Sequence, residues 1–240
     1  MSVATSRNRN SWASSVYDQP ALVLEGAHIY VGDRLLLPEV DLQVPSGSHV
    51  VISGASACGK STILRVSAGF PPPSTGQLRI DGDVLTGENR HRLRRNLAYV
   101  PQTPSMPSGI EVMEYLKEPT RFRSNRGREL NDSNVEAEAD ALRLPSSLLL
   151  QRGDQLSGGE KHRLMLLRGL LLGRRVFILD EVSASLDPAS RKAALKALRS
   201  AEATVVSVSH DERWIGEADF HYEIRAAKLV PVAAKGVAEG

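Results

Sequence analysis

Gly54-Ala55-Ser56-Ala57-Cys58-Gly59-Lys60-Ser61 fits the pattern G-x-x-x-x-G-K-[ST]. Just before it, His49 to Ser53 is a short apolar run of strand character. After it, Lys60 to about Ala68 reads as a helix, stopped by Gly69 and the prolines Pro71 to Pro73. A strand entering a glycine loop that opens a helix suits phosphate. Glycine lets backbone approach the oxygens, amides point inward, and the helix N-terminus adds positive potential. In such a loop Gly54, Ala55, Ser56, Ala57, Cys58 and Gly59 form the cradle, with Thr62 at its exit. Lys60 reaches the terminal phosphates, and the Ser61 hydroxyl is a magnesium ligand. Cys58 is also a thiol near a helix N-terminus, so bound nucleotide is expected to shield it from alkylation.

A second acidic element stands far downstream. Val176-Phe177-Ile178-Leu179-Asp180-Glu181 is four apolar residues followed by two carboxylates. A parallel strand ending in acid places Asp180 at the carboxyl edge of a sheet, where such folds bind ligands. Asp180 suits the magnesium shell, and Glu181 suits a general base that polarises water.

The remaining pattern alternates strands and helices. Ala21 to Val31 and Leu35 to Val44 read as strands around a Gly32-Asp33 turn, and Gln77 to Asp81 as another. Residues 102 to 155 change character, with turn residues first and then helical stretches such as Val135 to Leu144. A helix follows Ser157 to about Leu172, and Arg175 to Asp180 is a buried-type strand. Asp187 and Pro188 cap and open the next helix, and Thr204 to Ser209 is a further strand ending at His210. The fold expected is α/β, with a mostly parallel sheet covered on both faces, an antiparallel β sub-domain and an inserted helical sub-domain at about 102–160.

Composition agrees with a globular protein. The chain has 240 residues, 41% hydrophobic and 24% charged, with a net charge of +2 that does not call for nucleic acid. Arg90 to Arg95 and Arg121 to Arg128 are locally basic; a solvated face is the ordinary reading, a membrane-surface or RNA contact the alternative. The single cysteine forbids an intrachain disulfide and fits a reducing compartment. No apolar run approaches the roughly 18 residues of a membrane span. Residues 1–20 lack the apolar core of a signal peptide and read as a disordered tail, and 231–240 as a loose one.

Leu156-Ser157-Gly158-Gly159-Glu160 completes the pattern. Ser157 with Glu160, ahead of an apolar run, is a capping box, and a capped helix start with small residues is also an anion site. From about Leu22 to Leu229 the chain thus resembles the ATP-binding cassette (ABC) ATPases, and the resemblance implies roles. Tyr30 would stack on adenine, and Gln102 would sense magnesium and link to a membrane subunit. Ser157, Gly158, Gly159 and Glu160 would meet the γ-phosphate held by a second chain. Asp187, in Ser185-Leu186-Asp187, would carry communication between chains, and His210 would contact the γ-phosphate. Glu160 departs from the commoner glutamine, and a carboxylate near a phosphate must turn away or be screened; Ala57 departs from glycine and adds a methyl group beside the nucleotide.

The resemblance implies an ATP-hydrolysing, magnesium-dependent homodimer that drives integral membrane permease subunits from the cytoplasmic face of the inner membrane. A soluble, non-transport ABC ATPase is the alternative. A narrower resemblance, to the ATPases of bacterial iron exporters of the Fet type, rests on Pro101-Gln102-Thr103-Pro104 and on Leu156 to Arg163 with Leu166-Leu167-Arg168.

Overall fold

Two strands of alternating burial, β1 (Pro20–Val31) and β2 (Arg34–Pro45), form an antiparallel ribbon. Gly32 at the connecting turn has φ 56, a left-handed conformation that glycine adopts at little cost. The computed structural model from which this description is drawn covers residues 20–122, 125 and 130–232. The stretches read as tails, 1–19 and 233–240, lie outside the described residues, as does most of the basic segment 121–128. Pro20 belongs to β1, and Pro231 and Val232 belong to a strand rather than to a tail.

β3 (His49–Gly54) runs directly into the glycine loop and α1 (Lys60–Ser67), which ends before Gly69 at φ 71. β4 (Gln77–Ile80) and β5 (Asp83–Val84) join the ribbon, giving a four-stranded antiparallel sheet in the order β2-β1-β4-β5. α2 (Arg90–Arg94) holds the first basic cluster at the surface. Its Arg92 pairs with Asp83 at 2.7 Å, and the Arg94 guanidinium lies 3.8 Å over the Phe70 ring. β6 (Leu97–Val100) precedes the helical segment: α3 (Val112–Lys117), α4 (Asp132–Ala141), 3-10 turns at 146–150 and 153–155, and α5 (Gly158–Leu171). α4 starts three residues earlier than expected because Asn131 caps it, accepting from the Asn134 amide. It ends at Ala141, before Arg143 turns to φ 57.

β7 (Val176–Asp180), α6 (Pro188–Ser200), β8 (Thr204–Val208), α7 (Glu212–Gly216), β9 (Phe220–Arg225) and β10 (Lys228–Val232) follow. The second sheet has the order β10-β9-β3-β8-β7-β6, parallel except at β10. β7 and β8 are buried throughout, as a parallel sheet covered on both faces requires. Successive side chains feed two cores. Val51, Phe177, Leu179 and Val205 face the helical segment; Val50, Ile52, Ile178 and Val206 face α1 and the antiparallel sheet. Gly169, in the last turn of α5, costs helix propensity, but a Cβ there would stand 2.6 Å from the Phe177 ring. The helix seats against β7 because that atom is missing.

Beneath this sheet His49 is buried, its Nε2 2.9 Å from Ser207 Oγ and its ring edge-on to Trp214, whose indole N–H donates to the same oxygen. Burial lowers its pKa to about 4. Unfolded, the imidazole takes a proton below about 6.5; folded, it stays neutral until about 4. The unfolded state therefore binds the extra proton between those values, and stability falls as pH drops through that window. The total is on the order of 3 kcal/mol. Urea unfolding of the protein and of His49→Gln at pH 7, 6 and 5 should show a shallower decline in the variant; parallel declines would refute it.

Candidate functional site

The glycine loop takes conformations that explain its residues. Gly54 has φ 146, and a Cβ there would lie 3.1 Å from both Cys58 Sγ and Ile224; Gly59, which opens α1, has φ 107. Ala57 sits at φ 60, a left-handed backbone that costs an alanine roughly 1 kcal/mol relative to glycine. Ala55, Ser56 and Ala57 are exposed, while Thr62 is buried under the loop. Lys60 is buried too, and its ammonium donates to the carbonyls of Gly54 at 2.9 Å and Ala55 at 2.8 Å. Two loop carbonyls thus hold one cation at the mouth of the turn. Cys58 is half-buried beside Gly54. Alkylation of Cys58 should slow several-fold in saturating ATP, measured by mass spectrometry of the labelled peptide; equal labelling would refute occupancy of this loop.

Ser61 and Asp180 are 119 residues apart in sequence, and the sheet brings them together. Ser61 Oγ donates to Asp180 Oδ1 at 2.8 Å, and the Tyr99 hydroxyl reaches Oδ2 at 3.3 Å. Burial raises the Asp180 carboxyl, a rise the bonds from Ser61 and Tyr99 oppose, and burial beside Asp180 pushes Tyr99 up to about 12. A hydroxyl and a desolvated carboxylate are hard oxygen donors that suit magnesium, whose charge would offset the burial.

Glu181 leaves β7 at φ 51, and that turn points it away from the Ser61–Asp180 pair toward two loops. Gln102 Nε2 donates to Glu181 Oε2 at 2.7 Å, and His210 Nε2 stands 3.9 Å from Oε1. Gln102, expected as a metal ligand, is bonded here to the neighbouring carboxylate because its amide N–H is a donor. His210 is half-exposed. The loop that bears it is braced by Asp211, which caps α7 through Oδ1 and pairs through Oδ2 with Arg191 at 2.8 Å. Tyr30 lies at the end of β1, exposed and tilted toward His28.

α5 begins with the full capping box. The Glu160 amide bonds Ser157 Oγ at 3.3 Å, and the Glu160 carboxylate accepts from the Ser157 amide at 2.8 Å and hydroxyl at 2.6 Å. Those bonds hold the Glu160 carboxyl below its usual range. The acid that replaces the commoner glutamine is thereby folded back on its own helix. Gly158 has no atom within 4 Å of where a Cβ would stand; at Gly159 that atom would lie 2.6 Å from the Ser185 carbonyl oxygen. Among the described residues no hydrogen bond or ion pair joins Ser157–Glu160 to the 54–62 loop. Asp187 caps α6 through the amides of Ala189 and Ser190 at 2.9 and 3.0 Å, and bonding from Ser190 brings its pKa down to about 2.

Tyr99 and His162 were not picked out as site residues from the sequence. Tyr99 is an ordinary strand aromatic until the fold sets it against Asp180. His162 is a lone helical histidine until α5 is packed.

Fold and site together are those of a phosphate-loop nucleotide-binding protein, a parallel sheet whose carboxyl edge carries the loop, the acids and His210. The profile of the family described as ABC transporter matches residues 37–184, more than half of the chain, and the chain belongs to that family. It is 32% identical over 197 residues to the Fe(3+) ions import ATP-binding protein FbpC of Mesorhizobium japonicum, covering 80% of this chain and 54% of that protein. It is 29% identical over 206 residues to the probable iron export ATP-binding protein FetA of Escherichia coli K12, covering 84% of this chain and 90% of that one. The chain therefore spans about half of the first relative and most of the second. A dimeric ATP-binding cassette solved in a post-hydrolysis state with ADP and Pi shares its fold, with TM-score 0.77 at 22% identity over 90% of this chain and 99% of that one. Among the described residues no helix is long and apolar enough to cross a membrane.

Proposed function

We propose that the chain is the ATP-binding and ATP-hydrolysing subunit of an ABC transporter, and that it drives transport through separate membrane subunits from the cytoplasmic face of the membrane. The observation that carries the reading is the convergence of Lys60, Ser61, Asp180, Glu181, Gln102 and His210 at one sheet edge. Lys60 and the amides of the loop would bind the phosphates, and Tyr30 would stack on adenine. Ser61 and Asp180 would hold magnesium, with Gln102 moving in from Glu181; the ion supplies charge neutralisation on the phosphates. Glu181 would accept the proton of a water attacking the γ-phosphorus in line. The bond from that phosphorus to the bridging oxygen breaks, and ADP and phosphate leave. His210 would hydrogen-bond the transferring group.

Two chains would form the working unit. The helix start is exposed at Ser157 and Gly158, among the described residues no hydrogen bond joins it to its own loop, and its amides would meet a phosphate held by a partner. The cassette of the same fold was solved as a dimer. Iron is the favoured cargo, because one of these relatives is named for Fe(3+) import and the other for probable iron export, and the resemblance of Pro101–Pro104 and Leu156–Arg163 to the Fet type favours export.

Release of phosphate by the purified full chain, with magnesium and with EDTA, tests the ATPase. Solubilisation of the tagged chain together with a polytopic membrane protein tests the transport role. Turnover by a chain that brings down no membrane protein would favour a soluble ATPase, and cellular iron rising on deletion of the gene would support export.

A further inference from the structure

Three loops of the proposed site meet at one buried side chain that none of the assigned roles uses. His162, on the second turn of α5, is 2% exposed. Its Nε2 lies 3.0 Å from the Pro101 carbonyl oxygen, one residue before Gln102. Its Nδ1 lies 2.7 Å from Ser185 Oγ, two residues before Asp187, and 3.0 Å from the Gly158 carbonyl of its own helix start. A neutral ring meets both outer contacts: Nε2–H donates to Pro101, and Nδ1 accepts from the serine hydroxyl. Ser185 Oγ is also 2.9 Å from the Val182 carbonyl, which competes with Nδ1 for the one hydroxyl proton and keeps the serine on its own turn.

A separate observation ties the same elements. Gly159 has no room for a Cβ, which would stand 2.6 Å from the Ser185 carbonyl oxygen. The start of α5 is thus pressed against the 182–185 turn at a distance only glycine allows. Above it, Gln102 bonds Glu181 at 2.7 Å. One continuous path of contacts then runs from the helix start offered to a partner, through His162, to the residue that holds the base.

We propose that His162 is a positioning residue for ATP hydrolysis, which locks the Gln102 loop, the Ser157–Gly159 helix start and the Ser185–Asp187 loop in a single register. The inference rests on the ATPase reading above. Its physical basis is directional. Packing alone would keep an apolar residue at 162 buried, but only a donor and an acceptor on opposite sides of one flat group fix the distance between Pro101 and Ser185. Misplacing a reacting group by about 1 Å can cost up to 10²-fold in rate. Loss of the tie should therefore fall on turnover rather than on nucleotide affinity, because the phosphate loop of the same chain makes none of these contacts.

The test compares His162→Leu, which keeps bulk and loses both bonds, with His162→Gln, which carries one donor and one acceptor at similar reach. For the full chain, His162→Leu should lower kcat by about tenfold or more while the ATP Kd stays within about threefold and Tm is nearly unchanged. His162→Gln should regain at least a third of the wild-type kcat. Ser185→Ala should cost less in the His162→Leu background than in the wild type, as expected when both act through one contact. Wild-type kcat in His162→Leu overturns the proposal, and so does a His162→Gln no faster than His162→Leu. Should His162→Leu fail to fold, His162→Asn serves in its place, polar but one methylene too short to span the gap. No phosphate release from the wild-type chain would instead remove the ATPase reading, and this inference with it, before any variant is compared.

Discussion

Glu181→Gln should bind ATP as the wild type does and release phosphate at least about 10²-fold more slowly. The substitution keeps the size of the side chain and the backbone conformation that its φ of 51 imposes. It also keeps an oxygen able to accept the 2.7 Å bond from Gln102. What it removes is the capacity to take a proton from water. With chemistry blocked and ATP retained, the two-chain state should persist, so size-exclusion chromatography in magnesium-ATP should show a dimer in the variant at concentrations where the wild type is monomeric. Undiminished phosphate release would sink the assignment of Glu181 as base. Slow release with lost ATP binding would place its effect on the nucleotide instead.

Lys60→Ala should raise the ATP Kd by on the order of 30-fold or more, about 2 kcal/mol, and abolish measurable turnover. Lys60 is buried at the base of the loop with its ammonium on the carbonyls of Gly54 and Ala55. In a site of reduced dielectric, a fixed cation beside the terminal phosphates contributes more than a solvated lysine does. Alanine removes that cation and leaves the two carbonyls without the donor they now share. Titration with a fluorescent ATP analogue measures the loss, and a Tm close to that of the wild type shows that the loop has not simply unfolded. Unchanged affinity together with unchanged turnover would exclude Lys60 from the phosphate site.

Much of this site could be read from the chain because its pieces are short and self-explaining. A glycine loop between an apolar strand and a helix announces itself within some twenty residues, and the Ser157–Glu160 capping box within four. The strand that ends in Asp180 and Glu181 is legible only beside that glycine loop, since an acidic strand end alone more often just meets solvent. β9 and β10 were not anticipated. Apart from the buried Tyr222 and Ile224 their residues are half-buried or exposed and mixed in character, and they become strands because β9 pairs with β3 and β10 with β9. α7 was missed too, being five residues long and held mainly by the Asp211 cap and the burial of Trp214.

The limits of local reading show most clearly at Glu160 and Gln102. From sequence, a carboxylate facing a partner's phosphate was a difficulty; in the structure two bonds from Ser157 turn it back onto its own helix. Gln102 was expected beside the metal and instead bonds Glu181. A sequence carries the chemistry of each group but not the direction in which it is held.

The chain's own letters sufficed for the elements set by neighbours a few residues away: the glycine loop between strand and helix, the capped helix starts at Ser157 and Asp187, and the paired acids at a strand end. Tertiary structure alone decided the contacts between distant segments. Strand order brings Ser61 within 2.8 Å of Asp180, the turn at Glu181 aims its carboxylate at Gln102 and His210, and the packing of α5 buries His162 between Pro101 and Ser185. The division has one physical cause. Caps and glycine turns are satisfied by bonds within a few residues, whereas a buried polar group far from its partner in sequence is satisfied only once the sheet has closed around it.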